Sequence, residues 1–174
     1  MTNRKRVYLG IDPGQKGGIA IIHADGTAQA WRYPGDIPEA AALLNRIVGA
    51  WGMVVVRACI EKVSAMPRQG VSSTFKFGAN FGAWQGMMSA LCIPYVTVTP
   101  QQWQKTLLDS GTGETKERSL NMARRMFPDV DLSRKADDGK ADALHLARWA
   151  IRQHGREGML TAQEWIEIKE KVGA

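Results

Sequence analysis

Short apolar runs separated by turn residues dominate the first sixty positions of the chain. The runs at residues 7–11 and 19–22 flank a turn rich in Gly and Pro, which predicts a β-hairpin, and residues 28–33 predict a third antiparallel strand. Residues 53–60 form a nearly continuous apolar run, a pattern typical of a central strand buried on both faces. With a further run at residues 94–99, the pattern predicts five strands.

Between and after these runs, apolar residues recur at the spacing of amphipathic helices. The predicted helices cover residues 37–51, 74–91, 116–127 and 139–154, with a short helix starting at Pro100 and a C-terminal helix at about 161–172. Thr99 and Thr115 are predicted N-caps, and Thr161 and Glu164 form a capping box. We therefore expect an α/β protein with a five-stranded mixed sheet flanked by helices. It is expected to form a single domain over residues 1–174, with the last helix appended.

The predicted helix at residues 74–91 has glycine at every fourth position, at Gly78, Gly82 and Gly86. Each glycine lowers helix stability by about 1 kcal/mol relative to alanine. A glycine face permits close approach of another backbone, so we expect tight helix packing there, within the chain or across a dimer interface.

The charge balance changes the range of partners to consider. The chain has 23 Lys and Arg against 17 Asp and Glu, a formal net charge of +6, which suits a polyanionic partner such as nucleic acid. Charge alone does not decide this, because many basic proteins bind nothing anionic. No apolar run is long enough to span a bilayer, and no signal-peptide core follows the basic N-terminus, so we expect no membrane partner. Cys59 and Cys92 lack metal-ligand spacing and are expected to be reduced core thiols of a cytosolic protein.

Acids lie at the ends of predicted elements in three places. Asp12 follows the first strand, Glu61 follows the run at 53–60, and Asp138 and Asp142 lie one turn apart at a helix start. Alone, each has an ordinary explanation as a turn residue, a strand-end residue or an acid favoured by the helix dipole. Together they predict a metal site, because crowded carboxylates repel unless divalent cations neutralise them. Two Mg²⁺ ions about 3.5–4 Å apart would support phosphodiester hydrolysis.

These acids lie within motifs that resemble those of a known family. The order Gly10-Ile11-Asp12-Pro13-Gly14, Ile60-Glu61, Lys140-Ala141-Asp142-Ala143-Leu144 resembles the RuvC family of Holliday junction resolvases, most of all its divergent phage branch. The resemblance covers roughly residues 7–149. It implies an RNase H-like fold, a homodimer, and Mg²⁺- or Mn²⁺-dependent paired incision of four-way DNA junctions. It also implies the cytoplasm of a bacterial or phage-infected cell.

The resemblance assigns candidate metal ligands to this chain. Asp12 and Glu61 match the first two ligands of the family, and Asp142 matches the acid of its Asp-Ala-Leu motif. Two ions per site are implied, and we expect Asp12 to bridge them.

The remaining acid departs from the family pattern. It usually lies three residues before the Asp-Ala-Leu aspartate, where this chain has Gly139. Asp138, four residues before Asp142, returns to the same helical face and is the expected substitute. Asp137 is a weaker candidate.

Basic residues are also placed by the resemblance. Lys76-Phe77-Gly78 is similar to the family's Lys-Leu-Gly, and Lys105 and Lys116 lie where the family carries cations near the scissile phosphate. Lysines there would act as point charges on phosphate, although a solvated helix face is the usual setting for lysine. Lys116 is the favoured candidate, because it opens a helix after a glycine-rich loop.

The loop after Glu61 carries further candidates for DNA contact. The family uses a residue of this loop to separate bases at the crossover, but the corresponding position here is Ser64. Met66 or Phe75 could serve as the wedge. Arg68 and Gln69 are expected to touch DNA.

Three alternatives remain open from the sequence. An actin- or sugar-kinase-type nucleotide-binding protein also places an Asp before a glycine-rich hairpin, but it needs a second such hairpin, and the chain contains no repeat. An RNase H-like nuclease for RNA–DNA hybrids, flaps or other branched DNA would use the same acids. A catalytically silent DNA-binding homologue is disfavoured by acids at every expected place.

Overall fold

β1 (Arg6–Asp12) is the centre of a five-stranded mixed sheet. The computed structural model describes residues 5–62, 70–109 and 113–155. β1 pairs antiparallel with β2 (Gly18–His23) and parallel with β4 (Val54–Glu61). β3 (Ala28–Arg32) and β5 (Tyr95–Val98) form the edges, which gives the order β3-β2-β1-β4-β5. The five predicted strands and the mixed sheet are confirmed.

Helices cover both faces of this sheet. They are α1 (Ile37–Asn45), α2 (Val71–Ala90), α3 (Pro100–Leu107), α4 (Thr115–Met126) and α5 (Asp138–His154). A π-helical turn at Arg46–Ala50 continues α1, and a 3₁₀ turn at Lys135–Asp137 leads into α5. The predicted helix at 161–172 lies outside the described residues. Within them, no helix combines the length and the apolar character needed to cross a bilayer.

The helix starts agree with the sequence at α3 and differ at α2 and α4. Thr99 forms a capping box with Gln102, as an N-cap should. α2 begins at Val71, three residues before the predicted start. Thr115 is not the N-cap of α4, because Glu114 O already accepts the first helical hydrogen bond and Thr115 lies inside the helix.

The sheet separates two apolar layers. α1 and α2 pack on one face over Val7, Leu9 and Ile11, and α3, α4 and α5 pack on the other. β2 is buried at all six positions, whereas β4 begins with the exposed Val54. The run predicted as a central strand buried on both faces is interior to the sheet, and it is fully buried in its second half, where Ala58 and Ile60 lie in one apolar layer and Cys59 lies in the other. The two cysteines also differ, since Cys59 is buried and Cys92 is exposed.

α5 lies in direct backbone contact with β1. A Cβ atom at Gly10 would be 1.9 Å from Ala143 O and 2.3 Å from Ala147 N, so no other residue fits. The sequence uses glycine in β1 and alanine in α5 to allow this approach. This close contact between β1 and α5 fixes the N-terminal turn of α5 above the ends of the central strands.

α2 contacts the sheet with only a small part of its surface. Of its twenty residues, Trp84 and Met88 are buried. A Cβ atom at Gly78, Gly82 or Gly86 would meet no other group within 4 Å. The predicted tight packing on the glycine face is therefore not made within the described residues, and this face is open.

Candidate active site

Parallel pairing of β1 and β4 brings the first two candidate acids together. The register pairs Ile11 with Ile60, so Asp12 and Glu61 follow as neighbours at the carboxyl ends of the two strands. Asp12 Oδ1 accepts a hydrogen bond from Gly14 N at 3.0 Å, which holds its side chain against the following turn.

The N-terminal turn of α5 supplies the other two acids, and Gly139 explains their spacing. A Cβ atom at Gly139 would be 2.1 Å from Lys16 O and 2.6 Å from the carbonyl carbon of Gly17. Position 139 is thus pressed against the β1–β2 turn and has no room for an acidic side chain. Asp138 and Asp142, one on either side, line the space above the strand ends instead.

All four candidate acids line one cleft, which we call the carboxylate cleft. It has a volume of about 510 Å³ and is also lined by Lys116 and Gln104. The four acids come from two strands and one helix that are distant in sequence. The fold therefore brings the four acids together, as predicted. Their role as metal ligands is still a prediction.

Burial and repulsion from neighbouring carboxylates raise the pKa of Asp12, Glu61 and Asp142. Burial, followed by the charge of Asp12, raises the pKa of Glu61 to about 8. Burial, with further repulsion from Asp12 and Asp138, raises the pKa of Asp142 to about 7 despite a hydrogen bond from Ser119. Burial also raises the pKa of Asp12, more than its bond from Gly14 lowers it. A cation bound among these carboxylates would offset their mutual repulsion and favour their ionised forms.

Lys116 supplies one positive charge at the mouth of the cleft. Its Nζ lies 3.0 Å from Asp138 Oδ2, and its side chain is 74% exposed. The hydrogen bond to Asp138 raises the pKa of Lys116, so the amine stays charged. It can therefore leave Asp138 and contact an incoming anion at little cost.

Asp137, the weaker candidate, belongs to a different set of contacts. It is 1% exposed and accepts hydrogen bonds from Arg32 Nη2 at 2.8 Å and from Arg134 N at 2.9 Å, with Lys140 Nζ 3.2 Å away. Burial would raise the pKa of Asp137, but these donors outweigh it and lower the pKa. Asp137 therefore stabilises the 3₁₀ turn that leads into α5. Asp138 is the acid that lines the carboxylate cleft.

Two residues that the sequence did not single out as site residues hold acids in the cleft. Trp103 Nε1 donates to Glu61 Oε1 at 2.7 Å, and Ser119 Oγ donates to Asp142 Oδ1 at 2.5 Å. No sequence motif marked either contact, because the partners are 42 and 23 residues apart. The signal that could have found Trp103 is its helical phase, which places it on the buried face of α3 beside the end of β4.

The donor set of the cleft fits a divalent cation, although the side chains are not yet gathered around one. Four carboxylates provide the hard oxygen ligands that Mg²⁺ and Mn²⁺ prefer. In the part of the chain that the structure describes, no three His, Cys, Asp or Glu side chains form a ready metal centre. Binding of a cation therefore requires some side-chain movement, which the solvent-exposed pairing of Asp138 with Lys116 permits.

The other predicted contact residues are spread around the cleft. Phe75 is 76% exposed at the start of α2, and it lines a separate cleft together with Lys76 and Phe77. Phe77 also lines the carboxylate cleft. Lys105 is exposed on α3, but its neighbour Gln104 is the residue that lines the carboxylate cleft. Ser64, Met66, Arg68 and Gln69 lie outside the described residues.

A larger basic cleft continues from the carboxylate cleft. It has a volume of about 960 Å³, and both clefts share Gln15, Lys16, Gly17, Lys116 and Asp138. Its cations are Lys16, Arg32, Lys116, Arg124 and Lys135, against the acids Glu114, Glu117 and Asp138. The charged side chains that line the larger cleft thus include more cations than acids.

Comparisons with known proteins give one sequence match and several matches of fold. No protein-family model matches the chain. A stretch of 100 residues, 56% of this chain, is 28% identical to the Holliday junction resolvase MOC1, chloroplastic, of Chlamydomonas reinhardtii, and it spans 11% of that protein's length.

The fold matches solved structures of RuvC. Thermus thermophilus RuvC in complex with a Holliday junction substrate aligns with a TM-score of 0.58 and 18% identity, over 90% of this chain and 97% of that one. A second Thermus thermophilus RuvC structure aligns with a TM-score of 0.53 and 18% identity, over 81% of this chain and 90% of that one. The chain has the RNase H-like fold of RuvC, and the resemblance to Holliday junction resolvases that its motifs indicated is confirmed.

Proposed function

We propose that the protein is a structure-specific endodeoxyribonuclease that resolves four-way DNA junctions by metal-dependent phosphodiester hydrolysis with paired nicks. The observation that carries the proposal is the convergence of Asp12, Glu61, Asp138 and Asp142 in one cleft at the ends of the central strands. The proposal is supported by the matched relatives, one named a Holliday junction resolvase and one solved with a Holliday junction substrate.

The four acids would hold the cations, for which we propose Mg²⁺, with Mn²⁺ as a substitute, and two ions per site. When bound, such ions supply an activated water and stabilise the leaving oxygen. The chain's own contribution is to place the carboxylates at the strand ends and to keep Lys116 at the mouth. There Lys116 can shift from Asp138 to the phosphate as charge develops on it.

We further propose that the strand leaving the carboxylate cleft runs along the basic cleft. Lys16 and Lys135 are exposed, and Lys16 lines both clefts. A DNA strand bound at the acids would therefore find lysines for its phosphates as it continues into the basic cleft. Phe75 and Lys76 on the neighbouring wall would contact bases and backbone of the junction. Arg68, Gln69 and Lys105 stay predicted DNA contacts.

The active form is proposed to be a homodimer joined through α2. Val71 is 87% exposed at the start of this helix, and the glycine face meets nothing in the described chain. A second copy would cover this surface, and two sites related by symmetry would account for paired nicks. The proposed location, the cytoplasm of a bacterial or phage-infected cell, is a prediction, and the matched algal relative is named as chloroplastic.

The test is cleavage of a labelled four-way junction with Mg²⁺, beside duplex, flap and RNA–DNA hybrid. We expect wild type to nick the junction in pairs, and Asp12→Asn to lower the rate by about 1,000-fold while junction binding persists. Asp25→Asn, an exposed acid in the β2–β3 turn, is the matched control and should cut normally.

Two results would contradict the proposal in different ways. Equal or faster cutting of the hybrid or the flap would retain the carboxylate site and remove the junction as substrate. Absence of cutting with either Mg²⁺ or Mn²⁺ would remove the nuclease and leave a DNA-binding protein.

A further inference from the structure

Glu61 is held by a buried indole rather than by a charged group. Trp103 is fully buried, and its Nε1–H donates to Glu61 Oε1 at 2.7 Å. Trp103 lies one turn into α3, which begins with a proline and a capping box and is therefore well fixed at this end. Since the donor is neutral, it orients the carboxylate without cancelling its charge.

Asp142 is held in the same way from a different helix. Ser119 on α4 is 1% exposed, and its Oγ–H donates to Asp142 Oδ1 at 2.5 Å. This contact also uses one carboxylate oxygen and a neutral donor. Among the described residues, Glu61 Oε2 and Asp142 Oδ2 have no hydrogen-bond donor.

His145 joins these two supports into one unit. Its ring stacks on Trp103 with the centroids 5.7 Å apart and the planes at 26°. Its Nδ1 lies 3.0 Å from Arg148 Nη1, which can only donate, so Nε2 carries the proton and donates to Ser119 O at 2.9 Å. Complete burial, followed by the charge of Arg148, lowers the pKa of His145 to about 3, which agrees with a neutral ring.

The remaining two acids are held differently. Asp12 is bonded by the backbone of Gly14, and Asp138 is paired with the exposed, charged Lys116. Within the described part of the chain, Glu61 and Asp142 are the two of these four acids that have a buried, neutral side-chain donor, and the two donors are linked to each other through His145.

We propose that Trp103 and Ser119 are positioning residues that fix one oxygen of Glu61 and of Asp142 and leave the second oxygen of each for the divalent cation. His145, braced by Arg148, sets the two donors at a constant separation. The inference rests on the metal-binding part of the proposed function. It adds residues outside the acidic motif to the machinery that determines metal affinity.

The first test measures Mn²⁺ affinity of the DNA-free protein by calorimetry, with no cleavage involved. Trp103→Phe keeps the aromatic ring and removes the N–H, and we expect Mn²⁺ to bind about 10-fold or more weakly. Trp84→Phe is the matched control, because Trp84 is equally buried and its Nε1 has no hydrogen-bond partner within the described residues. The control should bind Mn²⁺ as wild type does.

Ser119→Ala is an independent arm on a different helix, and it should weaken Mn²⁺ binding to a similar degree. Both variants should bind a four-way junction normally in EDTA and should recover most of their cleavage rate at saturating Mn²⁺. A merely structural role would lower junction binding and leave the metal dependence unchanged.

The outcomes separate this inference from the function on which it rests. Unchanged Mn²⁺ affinity in folded Trp103→Phe and Ser119→Ala, with wild type binding Mn²⁺, would overturn the positioning role alone. If wild type itself bound no Mn²⁺, both this inference and the metal-dependent function would be overturned. Should Trp103→Phe fail to fold, the result for Ser119→Ala decides.

Discussion

α5 and α2 are both helices that carry small residues on one face, but they use that face in opposite ways. α5 has ten buried residues in seventeen and lies against Gly10 at backbone distance. α2 has two buried residues in twenty, and its glycines face open space. In α5 the small residues set the position of the candidate acids within the chain. In α2 the same signal leaves a surface that no described part of the chain covers.

The largest effect on stability is expected at the start of α5, where Gly139 contacts the β1–β2 turn. Gly139→Ala places a Cβ atom 2.1 Å from Lys16 O, and neither backbone segment can move without displacing Asp12 or Asp138. We expect the free energy of unfolding to fall by about 4 kcal/mol, with loss of cleavage. Urea denaturation followed by circular dichroism measures this. A variant as stable as wild type would show that α5 is not fixed by this contact.

The next effect separates two adjacent acids at the same helix start. Asp137→Asn leaves Arg32 and Lys140 without their buried counter-charge, so we expect a loss of about 3 kcal/mol in the free energy of unfolding. Asp138→Asn removes only an exposed pair with Lys116 and should leave stability within about 0.5 kcal/mol while abolishing metal-dependent cleavage. The reverse pattern would exchange the roles assigned to the two acids.

The pH dependence of stability should come from the same end of the molecule. Glu61 and Asp142 have pKa values of about 8 and about 7 in the folded chain, above their ordinary values of 4.5 and 3.8. The folded state therefore holds these protons more tightly than the unfolded state. The metal-free protein should lose stability as the pH rises from about 4 to about 8, where these protons leave the folded state.

Two controls test whether these acids cause the pH dependence. Glu61→Gln should flatten the fall, since one of the groups with a raised pKa is removed. Saturating Mg²⁺ should reverse it, because a bound cation favours the ionised acids. Thermal melts in EDTA across this range provide the measurement, and stability that rises with pH in EDTA would contradict the burial argument.

The sequence predicted the parts of the site that depend on strand order and local motifs. Asp12 and Glu61 could be placed together because acids that end two parallel strands must meet at one sheet edge. Asp138 could be preferred to Asp137 by helical phase. The reason for that shift, the lack of space at Gly139, depends on a contact with the β1–β2 turn that no local pattern reveals.

The side-chain contacts could not be predicted from the sequence, because they join residues that are far apart in the chain. Trp103 and Ser119 reach acids on other elements, and their roles depend on how α3 and α4 pack. The exposure of Lys105, and the place of Gln104 in the cleft, depend on the phase of a helix of only eight residues. The spacing of Trp103 and Leu107 marks the buried face of this helix, but it does not decide which of the neighbouring polar residues reaches the cleft.

The smallest predicted effect tests α2, with the same substitution that damages α5. Gly82→Ala removes a glycine from the open helix face, where the added Cβ meets nothing within 4 Å. At dilutions where the chain is monomeric, we expect the free energy of unfolding to rise by about 1 kcal/mol. If a second copy packs on this face, the added methyl should also shift sedimentation toward the monomer at higher concentration, and Gly82→Leu should do so more strongly. Stabilisation at every concentration, with an unchanged sedimentation profile for both variants, would mean that the glycine face of α2 is not the dimer interface.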